Sequence, residues 1–471
     1  MIQNNSENKT VLKLVNFISI TLIFILLTRT TIDADLWWHL RAGQMMVEQK
    51  QILLTDIFSY TRFGAEWVNA FWISEILLYA IYSIGGYFGL TFFVAITGVA
   101  TFYLISRRLS GNPFLNGFIL ILAAITAAPI WGPRPQILSF FIIALLDDWL
   151  INKRPRWFLI PLFAIWSNIH GGWIWGFLLL IAHSAGEFIE QLISQEKNWS
   201  EIKNLIGWSA LSALAIGLNP NGLAIWVLPF QQINVSLQIQ EWLSPDFHQI
   251  AFHPLLWMIF LLLLSASFSK KQNWSQLFKT LGFAYLTFFS QRNIALFAIV
   301  AVPLLFDWMN ATLQNFQRDT RLKPTVDLPR PLRLLINSTL VFALVVTALG
   351  NTYLVSQPEK VDSNYPIRAI EWIKENQPQG NLFNSYNWGG YLLWTLPEYP
   401  VFIDGRADLY GNEIINQWHA VVSGNENAIQ ILDEWQVNLI LIEPYWEITK
   451  TLELNGWQKV FEDEQAVIFV R

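Results

Sequence analysis

The chain of 471 residues is 53% hydrophobic and 15% aromatic, yet only 14% charged, against about 25% charged in ordinary soluble domains. Its formal net charge of −5 argues against a nucleic-acid partner. The absence of cysteine excludes disulfides, thiolate catalysis and zinc–thiolate sites. Such a composition defines a polytopic α-helical membrane protein.

The first apolar run, Val15–Leu27, follows Lys9 and Lys13 and has no small-residue cleavage site after it, so it reads as a retained first span. Directly beyond it lies TIDADLWWHLRAG (31–43), which crowds Asp33, Asp35, Trp37, Trp38, His39 and Arg41 at a membrane boundary. From Asp35 the spacing predicts an amphipathic helix, with Asp35 and His39 on one face at i and i+4. An acid paired with an imidazole at this depth suits acid–base chemistry on a membrane-bound substrate. The alternative is an interfacial anchor with its indoles at headgroup level.

At about 20 apolar residues per crossing, the chain offers spans near 11–29, 88–106, 113–130, 135–150, 157–169, 172–189, 205–218, 254–268, 276–290, 294–309 and 334–352. Several are short, so some are broken, tilted or shielded by protein. With about eleven spans, all basic clusters fall on one side, the cytoplasm by the positive-inside rule. These are Lys9/Lys13, Arg107-Arg108, Lys153–Arg156, Lys197/Lys203, Lys270-Lys271 and Arg318 to Arg333. The N-terminus is then inside and the C-terminus outside, in a plasma (inner) membrane. This count requires Phe71–Ile84, with Glu75 in its middle, to be an interfacial or re-entrant helix within an external loop 30–87.

The same orientation gathers the polar junctions WGPRPQ (131–136), SNIHGGW (167–173), GLNPNG (217–222), EWLSPDF (241–247) and SQRN (290–293) on the external side. Arg134 and Arg292 are either snorkelling residues or ligands for a lipid phosphate, which their guanidinium forks would suit. His170 is either a loop-capping partner or part of such a site. Glu241 and Asp246 read as solvated loop residues. His183 with Glu187, and Asp147-Asp148 beside Lys153 and Arg154, read as helix-end polar pairs. Most of the 24 tryptophans belong to interfacial belts.

Residues 1–355 thus form a transmembrane domain, and 356–471 a soluble extracytoplasmic α/β domain. In the latter the pattern predicts helices at 367–375, 389–396, 412–422 and 427–435, with strands at 381–384, 401–404 (VFID) and 439–442. A terminal hairpin follows at 459–461 and 466–470, completing a mainly parallel sheet. Ligands of such sheets sit beyond the strand ends, which brings Asp404, Arg406 and Asp408 of FIDGRADLYG forward. They form either a polar site or an Asp–Arg–Asp network fixing a tight turn.

Asp35-Leu-Trp-Trp-His39-Leu-Arg-Ala-Gly43-Gln-Met-Met46, after a first span, resembles the first external loop of the GT-C superfamily of membrane glycosyltransferases, such as protein O-mannosyltransferases and the lipid A aminoarabinose transferase. A fuller resemblance is to a largely uncharacterised bacterial group sharing Asp33–His39, Asn168–Gly172, Asn219–Gly222, Gly389–Leu392 and Asp404–Tyr410. Many GT-C members carry a second acid directly after the first, where this chain has Leu36; its nearest second acid is Asp33. The resemblance implies transfer of a sugar from a polyprenyl-phosphate carrier to a glycan, lipid or protein acceptor. In that reading Asp35 is the general base, with His39 beside it, and Asp33 holds a divalent cation, orients Asp35 or caps the helix. Arg134, Arg292 and His170 face the donor phosphate, and Trp37 or Trp38 line the sugar or lipid. Whether a metal is used, with Asp33 and Asp35 as its ligands, stays open. The competing classes are a lipid-linked-glycan binding or flipping protein and a membrane scaffold.

Overall fold

The computed structural model of the chain describes residues 2–29, 33–194, 197–230, 240–268, 272–317 and 329–471. Thr31 and Ile32, the Lys270-Lys271 pair and most of the basic run Arg318 to Arg333 lie outside the described residues. The N-terminal part is helical, in chain order α1 (Ile2–Leu27), α2 (Leu36–Gln49), α3 (Trp72–Ser106), α4 (Pro113–Ala127), α5 (Gln136–Ile151), α6 (Leu159–Ile169), α7 (Trp173–Ile193), α8 (Ser200–Ala215), α9 (His253–Ala266), α10 (Trp274–Phe289), α11 (Ile294–Gln317) and α12 (Arg330–Val355). Apart from α2, each falls on one of the apolar runs. Among the described residues, five segments, Trp72–Ser106, Pro113–Ile130, Trp173–Ile193, Gln291–Asn315 and Leu334–Val355, are long and apolar enough to cross a membrane. Lys13–Leu27 and Ile250–Ala266 are shorter apolar helices.

Burial separates the helices by role. α11 is sheathed on all sides, with Ile294 to Val302 essentially inaccessible, as expected of an all-apolar helix at the centre of a bundle. α12 instead leaves Phe342, Leu335 and Leu349 exposed, as a helix facing lipid would. α3 is broken at Gly86, whose φ of 54° and ψ of −146° only glycine adopts readily. The limb before the break covers the segment 71–84 and packs along α2. Gly43 lies at that crossing, where a Cβ would strike the Glu75 carbonyl.

The polar junctions converge at one end of the bundle. Trp72 Nε1 donates to Asn168 Oδ1 at 2.8 Å, Asn168 Nδ2 to the Leu218 carbonyl at 3.0 Å, and Asn219 Nδ2 to the Ser167 carbonyl at 2.8 Å. Elsewhere, Asp147 is not the helix-end residue its spacing implied. It is buried between Arg108 (2.8 Å) and Lys279 (2.5 Å), partners contributed by distant segments. The local Asp–Arg pairing survives only at Asp148 with Arg154, 3.6 Å apart.

After α13 (Pro358–Asp362) and α14 (Ile367–Asn376), β1 (Asn381–Asn384) is followed by α15 (Gly389–Thr395), α16 (Ala407–Val422) and α17 (Ala428–Glu434). Then come β2 (Val437–Ile442), α18 (Thr449–Leu452), β3 (Gln458–Glu462) and β4 (Val467–Val470). The sheet order is β1-β2-β4-β3, and only β1 and β2 are parallel. This corrects the mainly parallel expectation, because the terminal hairpin contributes two antiparallel pairings. Nor is Val401–Asp404 a strand. It touches the sheet through a bridge at Val401, and the Asn384 side chain substitutes for a ladder by accepting from Phe402 N (2.9 Å) and donating to the Ile403 carbonyl (2.8 Å).

The C-terminal α/β part shares a hydrophobic core with α2 and the segment that follows it. Leu36, Trp37, Leu40 and Met46 of α2 pack in one cluster with Leu382, Leu392, Leu439 and Ile468. Trp37 donates to the Tyr365 hydroxyl at 2.6 Å and lies edge-on to Tyr391 at 4.8 Å. Arg406 also ties the two parts together, fully buried and fixed by Asp404 (2.6 Å) and by Asp56 of the segment between α2 and α3 (2.7 Å). The guanidinium lies over the rings of Phe58 and Trp67. Of the two readings for Asp404 and Arg406, the placement matches the turn-fixing network, with Asp56 as the second acid. Arg406→Met strands two buried carboxylates and is expected to destabilise the protein by about 3–5 kcal/mol, read as a lowered Tm of the detergent-purified chain.

Candidate active site

The site begins with a local turn. Asp33 Oδ1 accepts from the Asp35 amide at 2.9 Å, which holds Asp35 at the entrance to α2. Asp35 makes no side-chain cap of its own helix. Its Oδ1 accepts from Trp38 Nε1 at 3.2 Å, and its Oδ2 lies 3.4 Å from Arg134 Nη1.

Arg134 arrives on the loop between α4 and α5. Trp131 anchors that loop through Nε1 to the Val94 carbonyl, and Arg134 N bonds to the Gly132 carbonyl at 2.8 Å. Arg134 Nε donates to Asp33 Oδ2, and Nη1 donates to Glu241 Oε2 at 2.8 Å. Glu241 belongs to a short turn tied to the start of α11: Gln291 N donates to the Leu243 carbonyl, and Ser290 Oγ to the Glu241 carbonyl. Arg292 Nε comes within 3.5 Å of Glu241 Oε1, and its guanidinium lies 4.5 Å above Trp242. That Nε is buried without a hydrogen-bond partner.

These groups open onto one cavity of about 570 Å³. One wall comprises Asp35, Trp38, His39, Arg134, His170, Glu241 and Arg292 from the helical part. The C-terminal domain supplies the other, with Tyr386, Asp408, Trp418, His419 and Trp446 prominent. Gly405 presses so closely on Asp35 that a Cβ there would collide with Oδ1.

The electrostatics give the acids different protonation behaviour. Burial lifts the Asp35 carboxyl to about 6; Arg134 opposes the rise while Asp33 and Glu241 add to it. Burial also penalises ionised Glu241, but Arg134 and Arg292 outweigh that and hold it near 2. Burial, reinforced by Arg292, depresses His170 to about 3. His39 is pushed well below its ordinary value by burial and then by Arg134. Both imidazoles are therefore neutral near pH 7. Burial raises Asp408 across the cavity.

Asp35, Arg134 and Arg292 thus meet around one space, while Asp33, bonded to Arg134, lines a separate pocket. His39 borders the cavity, but its Nδ1 is 3.1 Å from Glu75 Oε1 instead of pairing with Asp35. Sharing a helix face with Asp35 did not determine its partner, because Glu75 arrives from α3. His170 behaves as a capping residue, with Nδ1 accepting from the Gly172 amide at 2.8 Å and 2.9 Å from Ser139 Oγ. Trp38 lines the cavity, whereas Trp37 is buried at the junction with the C-terminal domain. Asp404 and Arg406 are buried in their network, while Asp408 faces the cavity.

Glu241, read from sequence as solvated, instead links the two arginines. Its one visible signal was placement in an external junction. The aromatic wall formed by Tyr386, Trp418 and Trp446 carried no distinguishing signal among so many aromatic residues. Among the described residues, no group of three His, Asp or Glu side chains is arranged to hold a metal ion.

No protein-family model matches the chain, and no curated protein sequence matches it significantly. Its fold is similar to solved structures. The archaeal oligosaccharyltransferase AglB from Archaeoglobus fulgidus, in complex with an inhibitory peptide and a dolichol-phosphate, matches at 12% identity and a TM-score of 0.58, covering 90% of this chain and 69% of that one. The apo form of an Archaeoglobus fulgidus oligosaccharyltransferase matches at 13% identity and a TM-score of 0.54, covering 91% and 69%. ArnT from Cupriavidus metallidurans, bound to undecaprenyl phosphate, gives 13% identity and 0.44 over 98% and 96%. The first two show a shared fold.

Because Glu241 raises Asp35, Glu241→Gln is expected to lower the pH at which Asp35 ionises, from about 6. Infrared titration of the protonated carboxyl band, assigned with Asp35→Asn, reads the shift. An unchanged or higher midpoint would show that the two acids are not coupled.

Proposed function

We propose that the chain is a membrane glycosyltransferase that moves a sugar from a polyprenyl-phosphate carrier to a hydroxyl-bearing envelope acceptor on the extracytoplasmic face. The observation carrying this reading is the placement of Asp35: a carboxylate with a raised pKa, beside Arg134, on a cavity that also contains Arg292. Asp35 takes the proton as the acceptor oxygen attacks the anomeric carbon. The bond from that carbon to the carrier phosphate breaks as the new bond forms, with inversion, and the polyprenyl phosphate departs.

Burial depresses the basicity of His39 and His170, which makes them weak proton acceptors and leaves this transfer to Asp35. Arg292, whose buried Nε lacks a hydrogen-bond partner, receives the phosphate as its charge develops, and Arg134 adds to that field. Trp38, Trp418 and Trp446 give the sugar apolar faces to rest on. The C-terminal wall with Asp408 selects the acceptor. The shared end of the polar junctions supports one-sided access. A non-catalytic binding protein or scaffold would have no need for a carboxyl poised near neutral pH beside the arginines.

General-base catalysis contributes typically 10²–10⁴-fold, so Asp35→Asn is expected to reduce transfer from polyprenyl-phosphate sugars by about that factor with Tm unchanged. Retention of activity within a few-fold would remove Asp35 from this role. The base works only when ionised, so the wild-type rate is expected to rise with pH through about 6. A profile flat across that region would contradict the assignment.

A further inference from the structure

We infer that the acidic cluster of the first loop carries its own cation, Arg134, and that this site neither binds nor requires a divalent metal. The consequence for catalysis rests on the glycosyltransferase reading; the consequence for metal binding does not.

The Asp33-x-Asp35 pattern invites a divalent cation, but the structure uses both carboxylates differently. Asp33 Oδ1 is engaged by the Asp35 amide at 2.9 Å and Oδ2 by Arg134 Nε. Asp35 Oδ1 is engaged by Trp38 Nε1 at 3.2 Å, while Oδ2 lies 3.4 Å from Arg134 Nη1. Glu241 Oε2 accepts from Arg134 Nη1 at 2.8 Å, and Oε1 faces Arg292 Nε at 3.5 Å. All six carboxylate oxygens therefore face a nitrogen donor.

Hard divalent cations need several oxygens at roughly 2.0–2.6 Å. The position from which these three acids could be reached together is filled by the guanidinium. A metal would have to expel Arg134 or bind beside two fixed positive charges. Three carboxylates and two guanidiniums leave one net negative charge. Electrostatic demand for a further dication is therefore weak. Arg134 also remains protonated throughout the working range, supplying charge that no chelator removes.

The test is Mn²⁺ titration of the full-length, detergent-purified protein, followed by electron paramagnetic resonance. Wild type is expected to show no stoichiometric micromolar binding. Arg134→Ala, with the acids left uncompensated, is expected to acquire one Mn²⁺ per chain. Stoichiometric Mn²⁺ in wild type that disappears in Asp33→Asn would overturn the inference and depends on no Arg134 variant folding. In parallel, EDTA-treated wild type is expected to retain transfer within about two-fold, where a catalytic metal would supply several kcal/mol. Loss restored by Mn²⁺ would overturn the inference while leaving sugar transfer intact. Absence of transfer under every condition would instead count against the glycosyltransferase reading and leave the binding result standing.

Discussion

Arg134 is the charge around which the cavity closes. Asp33 and Asp35 come from the stretch following the first helix, while Glu241 is 107 residues further along the chain than Arg134. Brought together alone, three partly buried carboxylates would repel one another and lose hydration. A guanidinium can answer all three because its donors fan out in a plane toward separate acceptors. The local architecture serves that arrangement: Trp131 fixes the loop presenting Arg134, Asp33 turns Asp35 inward, and the 240–242 turn is fastened to the start of α11. Removing the arginine would leave uncompensated buried charge, which costs much more than losing an exposed ion pair.

The second constraint is steric. Gly405 meets the Asp35 carboxylate, and a Cβ on Gly390 would press on the Ala34 carbonyl. The Gly405 turn and the start of helix α15 thus cradle the turn that presents Asp35. With α2 buried in a core shared by this domain, the first loop cannot keep its shape independently of residues 356–471. Asp35 is positioned from both sides, by an ion network on one and by backbone contact on the other. Such double support is how a side chain is held near one productive geometry.

The sequence carried the helices well because apolar runs are local signals. A charge rule acting on connections sorts entire segments together, and residues of four of the junctions it grouped, 131–136, 167–173, 241–247 and 290–293, line one cavity. β1 and the short helix after it were legible from composition and turns. The mixed sheet was less so: the buried run Val401–Asp404 has strand chemistry, but the Asn384 side chain occupies the hydrogen-bonding edge beside it. In the site, spacing identified Asp35 and His39 as neighbours on one face but gave no information about α3, which brings Glu75 to the imidazole. Glu241, Asp56 and Asp147 all find partners far away in sequence, and no periodicity marks such pairings.

The two arginines then separate by how fully they are occupied. Arg134 is surrounded by acids and belongs to the standing electrostatic framework. Arg292 leans on Trp242, has a longer contact with Glu241, and retains a buried Nε without a hydrogen-bond partner. An incoming anion therefore gains most at Arg292, where it satisfies an atom already removed from water. Glu241 lies between the two and is kept ionised by both, so it partly offsets their charge without competing for Asp35's proton. Asp35 is left as the member of this network that changes charge near neutrality. Burial makes its carboxylate a better proton acceptor, while the positive charge of Arg134 limits the rise and keeps the ionised form accessible near neutral pH.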